Sequence, residues 1–149
     1  MQESPTKRLK ECGLKAGGAM SGGKSTILVI DDKKSIRSLV EAVLNRDGYC
    51  SVSAGDGAEG IHLAVKYKPA LILLDWNMQK LGGAAVLKEL RSRDETSHIP
   101  VVVMTADTAA ERLQRFYGVQ DHLNKPFDIN DLKRVVRYWL NGGPARHGT

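Results

Sequence analysis

Leu71-Ile72-Leu73-Leu74-Asp75-Trp76-Asn77 is a short apolar run that ends in a carboxylate, with Pro69 just before it. A half-exposed strand alternates apolar and polar residues. An unbroken apolar run of this length is instead a strand buried on both faces, and such strands belong to parallel sheets covered by helices. Asp75 then stands at the carboxyl end of a central strand, the edge at which open α/β sheets bind ligands. A lone Asp after a strand often only caps the next turn, so its meaning depends on what the other strand ends carry.

Upstream, Thr26 to Ile30 is a second apolar run, leading directly into Asp31-Asp32. From Ser35, an expected N-cap, Ile36, Leu39, Val40, Val43 and Leu44 recur at helical spacing until Gly48. Residues 49–54 read as a short strand and Gly55-Asp56-Gly57 as a turn. Ala58, Ile61, Ala64 and Val65 then mark a helix that ends before Pro69.

Downstream, residues 77–83 form a loop, and 84–92 a helix with Ala84, Leu87 and Leu90 inward. Val101-Val102-Val103-Met104 is a further buried strand, ending at Thr105. Ala109, Ala110, Leu113, Phe116 and Tyr117 predict a short fourth helix, and 121–124 a weak fifth strand leading into Lys125-Pro126-Phe127. Asp128, with Asp131 three residues on, caps a last helix whose stripe is Ile129, Leu132, Val135, Val136 and Trp139, closed by Gly142-Gly143-Pro144. Five strands alternating with five helices predict an α/β fold with a doubly wound, five-stranded parallel sheet.

The chain of 149 residues is about one domain long. No apolar run approaches the ~18 residues of a membrane span, and no leader precedes the first strand, so a cytoplasmic protein without membrane insertion is expected. Cys12 and Cys50 have no ligand spacing, and neither a zinc site nor a structural disulfide is expected. Of 22 Lys+Arg and 17 Asp+Glu, 16 and 15 fall within 26–140, a balance of +1; the other 6 and 2 lie outside it. The net charge of +5 is therefore a property of the tails, and specific nucleic-acid binding is not expected. Residues 1–25 read as a flexible Gly-rich tail, 26–140 as the domain and 141–149 as a second tail. Gly18 to Ser25 matches GxxxxGK[ST], but without a strand before it and a helix after it the phosphate-loop context is missing.

On such a sheet the strand ends bring Asp31, Asp32, Asp75, Thr105 and Lys125 to one edge. Three carboxylates with carbonyl oxygens form a hard-oxygen site suited to Mg²⁺ rather than zinc. A carboxylate can also act as a nucleophile and become an aspartyl-phosphate, provided a cation and an ammonium neutralise the charge on the phosphoryl oxygens. Lys125 would supply the ammonium and Thr105 a hydroxyl donor.

Ile-Leu-Val-Ile-Asp-Asp, Leu-Ile-Leu-Leu-Asp-Trp-Asn-Met, Val-Val-Met-Thr-Ala and Asn-Lys-Pro-Phe together resemble a response-regulator receiver domain of two-component signalling. The Asp-Trp-Asn-Met segment is similar to that of the single-domain chemotaxis regulators. The resemblance implies the flavodoxin-like strand order 2-1-3-4-5. It implies that Asp75 accepts a phosphoryl group from a histidine kinase or a histidine phosphotransfer protein, with Mg²⁺ held by Asp32, Asp75 and the Asn77 backbone carbonyl, and by Asp31 through water. Lys125 would pair with the phosphoryl oxygens and Lys125-Pro126 would be cis. Thr105 would couple phosphorylation to the surface of the fourth helix, fifth strand and fifth helix, where an unidentified output protein binds. Asn77 and Asp107 would tune dephosphorylation. Such a module is a signalling protein, not a conventional enzyme, although it catalyses its own phosphorylation and dephosphorylation.

Three features depart from the family pattern. Gln79 stands where a Pro commonly follows the acceptor, His122 occupies the aromatic switch position, and the fourth helix is about half a turn short. A phosphorylation-independent interaction domain on the same fold is therefore the alternative expectation. A stand-alone receiver is expected, with the receiver piece of a longer protein as a further alternative.

Overall fold

The structure, a computed structural model, describes residues 25–106, 119 and 121–142. Its strands are β1 (Thr26–Ile30), β2 (Cys50–Ala54), β3 (Leu71–Asp75), β4 (Val101–Thr105) and β5 (Asp121–Asn124). The helices among the described residues are α1 (Lys34–Arg46), α2 (Gly57–Tyr67), α3 (Gly83–Arg91) and α4 (Ile129–Leu140). All strand pairs are parallel and the sheet order is β2-β1-β3-β4-β5, as expected from sequence. The helix expected over 109–117, like Asp107, lies outside the described residues.

Every residue of β1, β3 and β4 is buried. Because side chains alternate across a strand, each apolar run feeds two cores. Leu28, Ile30, Ile72, Leu74, Val101 and Val103 face α2 and α3. Ile27, Val29, Leu71, Leu73, Val102 and Met104 face α1 and α4. An unbroken apolar run is thus the residue pattern that a sheet covered on both faces requires. Each Leu or Ile so buried contributes about 1.5–3 kcal/mol.

The helix boundaries follow local chemistry. Asp56 caps α2 by accepting from the Glu59 N–H at 2.8 Å, and Asp128 caps α4 by accepting from the Asp131 N–H at 3.0 Å. α1 ends in a left-handed Gly48 at φ 90°, whose N–H donates to the Asn45 carbonyl while that of Tyr49 donates to the Leu44 carbonyl.

Several expectations need correction. Ser35 is not the cap of α1; Lys33 holds that position and no side chain caps the helix. Leu39 and Ile129 are 43% and 46% exposed rather than inward. The buried face of α2 is Gly57, Gly60, Leu63, Ala64 and Tyr67, not the stripe through Ala58, Ile61 and Val65. Glycine explains the shift: a Cβ on Gly60 would lie 2.6 Å from Ile30 Cδ1, so the bare backbone of α2 rests directly on β1. Cys50, fully buried at the start of β2, takes part in a disulfide, which corrects the expectation from spacing; Cys12 lies outside the described residues.

Candidate functional site

Parallel strands all end at one edge, and their register brings the site together. Ile30 pairs with Leu74, Asp75 with Met104 and Thr105 with Asn124. Asp31, Asp75, Thr105 and Lys125 therefore emerge side by side. Ligand oxygens of Asp31, Asp32 and Asp75 lie within 4.8 Å of one another. Asp31 and Asp75 are buried and Asp32 is exposed, so the cluster opens to solvent on the Asp32 side.

Lys125 Nζ lies 2.8 Å from Asp31 Oδ2 and 3.2 Å from Asp75 Oδ1. Asp75 Oδ1 also accepts from the Asn77 N–H at 3.2 Å, and Asp31 Oδ1 from the Lys33 N–H at 2.9 Å. Among the described residues, both contacts to Asp75 fall on Oδ1. Burial raises the Asp75 pKa and the charge of Asp31 raises it further, with Lys125 and the Asn77 N–H opposing. Burial also disfavours the Lys125 ammonium, but its hydrogen bond to Asp31 and the charges of Asp31 and Asp75 outweigh that and raise its pKa. The lysine is held charged between two carboxylates.

Thr105 is fully buried and its hydroxyl donates to Asn77 Oδ1 at 3.2 Å. Asn77 thus joins two parts of the site, its N–H on Asp75 and its side chain on Thr105. The Lys125–Pro126 peptide is cis, and the Lys125 N–H donates to the Thr105 carbonyl at 2.8 Å, extending the β4–β5 ladder to the site lysine. His122 is half-buried on β5, on the face opposite the buried Leu123. Its Nδ1 is buried without a hydrogen-bond partner among the described residues. Asp121 is anchored by Trp139, whose Nε1 donates to Asp121 Oδ2 at 2.9 Å. Gln79 is exposed and lines, with Asp32, Lys33, Gly55 and Lys80, a cleft of about 450 Å³ beside the acidic cluster.

Arg37 was not singled out from sequence, yet its Nη1 donates to the Asp31 carbonyl oxygen at 2.7 Å. The available signal was position: it is a long cation in the first turn of the helix that directly follows Asp31-Asp32. Trp76, next to Asp75 in the chain, is pinned by two backbone hydrogen bonds. Its N–H donates to the Met104 carbonyl at 3.0 Å and its carbonyl accepts from the Gly83 N–H at 3.1 Å.

Chemically, this edge offers a hard-oxygen donor set, a carboxylate nucleophile, a fixed ammonium and a hydroxyl. Known proteins share the arrangement of the chain. It is 34% identical over 116 residues to sporulation initiation phosphotransferase F of Bacillus subtilis, covering 76% of this chain and 92% of that protein. It is 40% identical over 116 residues to the DNA-binding transcriptional regulator RpaA of Synechocystis, covering 76% of this chain but only 48% of the regulator. The chain thus spans nearly all of the first relative and about half of the second. Among solved structures, chemotaxis response regulator CheY4 of Vibrio cholerae superposes with a TM-score of 0.73 at 29% identity, covering 78% of this chain and 98% of that one. The receiver domain of sensor histidine kinase PA1611 of Pseudomonas aeruginosa, solved with magnesium in its active-site cleft, shares the fold with a TM-score of 0.73 at 24% identity, covering 80% of this chain and all of its own. Residues 27–137 match the model of the response regulator receiver domain, and the chain belongs to that family of two-component signalling domains.

Proposed function

We propose that the chain is a phosphorylation-switched receiver in which Asp75 takes a phosphoryl group from a phosphohistidine of a histidine kinase or phosphotransfer protein. The observation that carries this reading is the Lys125 ammonium shared by Asp31 and Asp75 at 2.8 and 3.2 Å beside an open acidic cluster. In the transfer, an Asp75 carboxylate oxygen bonds to phosphorus as the P–N bond breaks, and its electron pair stays on the imidazole nitrogen. Asp32, Asp75 and the Asn77 carbonyl, with Asp31 through water, are the groups that would hold Mg²⁺, and the three-carboxylate donor set fits a hard cation. When bound, Mg²⁺ supplies positive charge to the phosphoryl oxygens. Lys125 pairs with the same oxygens, and Thr105 turns its hydroxyl from Asn77 towards them.

An aspartyl-phosphate adds charge and acceptor oxygens at a point where Thr105 and Lys125 already meet, which favours whichever loop arrangement donates to it. The change is read at the surface of segment 109–117, β5 and α4, with His122 as the moving side chain and an output protein as its reader. Asn77 and Asp107 set the lifetime of the phosphorylated state. The working unit is 26–140, flanked by tails, acting in the cytoplasm. Among the described residues, no helix is long and apolar enough to cross a membrane.

Trp76 directly follows the acceptor, so its fluorescence reports on the site. Stepwise addition of Mg²⁺ and then beryllofluoride is expected to give two saturable changes, the second lost in Asp75→Asn, and a small phosphodonor is expected to label wild type but not Asp75→Asn. A protein that binds Mg²⁺ yet ignores beryllofluoride would instead be a phosphorylation-independent interaction domain.

A further inference from the structure

The Arg37 guanidinium reaches back from α1 to the end of β1. Nη1 donates to the Asp31 carbonyl oxygen at 2.7 Å. A Cβ placed on Gly55 would stand 3.2 Å from Nη1 and 3.5 Å from Cζ, so the guanidinium lies against the bare backbone of the loop after β2. The same two chain segments are joined one residue earlier, where the Asp31 N–H donates to the Ala54 carbonyl at 3.1 Å. Arg37 thus ties the end of β1 to the loop at Gly55, and both Gly55 and Asp32 line the cleft beside the cluster.

The bonded oxygen belongs to the peptide that joins Asp31 to Asp32. Asp32 is the exposed carboxylate of the three, and the orientation of that peptide helps to set the direction in which its Cα–Cβ bond leaves the chain. We propose that Arg37 is a positioning residue: by holding the Asp31–Asp32 peptide against the loop at Gly55, it keeps the Asp32 carboxylate facing the oxygens of Asp31 and Asp75. In this way it sets the affinity of the cluster for a divalent cation. The inference rests on the acceptor-site reading above and extends it to a residue outside the ligand set. Partners that orient metal ligands typically change affinity about 10–100-fold when removed.

The test is a Mg²⁺ titration of the full chain, read by Trp76 fluorescence, with thermal unfolding in the absence of metal measured in parallel. Arg37→Met keeps much of the side-chain stem and removes the donor; its Mg²⁺ affinity is expected to fall about ten-fold. Gly55→Val places a side chain where the guanidinium rests and is expected to weaken Mg²⁺ binding several-fold in the wild-type background but no further in Arg37→Met. Wild-type affinity in Arg37→Met, with or without a lowered unfolding temperature, would reduce Arg37 to a staple between helix and strand and overturn the proposal. So would a Gly55→Val effect of equal size in both backgrounds, or none in wild type. A wild-type chain with no Mg²⁺ response overturns the metal reading and this inference together, whereas a normal wild-type response with unaltered variants overturns only the inference.

Discussion

The Lys125 ammonium sits closer to Asp31 than to Asp75, at 2.8 Å against 3.2 Å, although Asp75 is the proposed acceptor. The lysine therefore serves first as the counter-charge that lets two buried carboxylates stand side by side. Removing one partner of a mostly buried pair leaves the other charge uncompensated, which costs about 3–5 kcal/mol. Lys125→Ala is expected to lose about 3 kcal/mol of metal-free stability in urea unfolding. Mg²⁺ should then stabilise the variant more than wild type, because it restores the missing positive charge, while the fluorescence response to beryllofluoride is weakened. Unchanged metal-free stability, or poorer Mg²⁺ binding, would show that Asp31 and Asp75 do not depend on this ammonium.

Asp75 carries the opposite signature. Burial, then the charge of Asp31, raises its pKa above the ordinary 3.8 despite Lys125. An acid whose pKa is higher folded than unfolded binds protons more tightly when folded, so its stability contribution is favourable at low pH and is lost as pH rises through the folded value. The ionised form is thus a local cost at neutral pH. Metal-free Asp75→Asn is expected to unfold at higher denaturant than wild type at pH 7, with the gap closing as pH falls towards 3.8. A variant less stable than wild type at pH 7 would mean that the Lys125 pairing outweighs the burial.

Beside Trp76, which follows Asp75, Gly83 and Gly82 make a contrasting pair. A Cβ on Gly83 would stand 2.6 Å from Trp76 Cε3 and 2.8 Å from Trp76 Cα, whereas one on Gly82 meets only the Met78 carbonyl oxygen, at 3.9 Å. Backbone cannot yield as a side-chain tip can, and forced overpacking costs about 1–3 kcal/mol. Gly83→Ala is expected to lose about 2 kcal/mol and to shift Trp76 emission; Gly82→Ala should do neither. Equal behaviour of the two variants would show that α3 can slide away from Trp76.

The parts legible in the sequence were those set by local rules. Consecutive apolar residues at 27–30, 71–74 and 101–104 signal strands covered on both faces, and parallel strands carry their terminal residues to one edge, so Asp31, Asp75, Thr105 and Lys125 could be placed together before any contact was known. Asp56 and Asp128 act where cap chemistry puts them, Asp128 as a foreseen cap and Asp56 within a foreseen turn. Features that depend on tertiary fit were not legible. Periodicity alone turned Leu39 and Ile129 inward, but both border an open surface groove between α1 and α4, lined also by Arg46 and Lys133. The contact face of α2 was missed because Gly57 and Gly60 count as apolar contact only when something fits against their missing side chains. Arg37 was missed because its position just after Asp31-Asp32, the one signal for it, does not say that its partner is the backbone carbonyl six residues earlier.

The Thr105 hydroxyl is engaged in the structure, donating to Asn77 Oδ1 at 3.2 Å. In the proposed switch, turning that hydroxyl towards an aspartyl-phosphate would break this bond, so the Asn77 side chain would oppose it. A neutral hydrogen bond is worth about 1 kcal/mol net, roughly a five-fold change in an equilibrium constant. Asn77→Ala leaves its backbone N–H to hold Asp75 and removes only the competing acceptor. The variant is therefore expected to bind beryllofluoride in the presence of Mg²⁺ about five-fold more tightly than wild type. In the Thr105→Val background, where no hydroxyl remains to be released, the same change should have no effect. Equal tightening in both backgrounds would place the action of Asn77 on the acceptor or the cation rather than on Thr105, and unchanged or weaker binding in the single variant would remove Asn77 as a restraint on the switch.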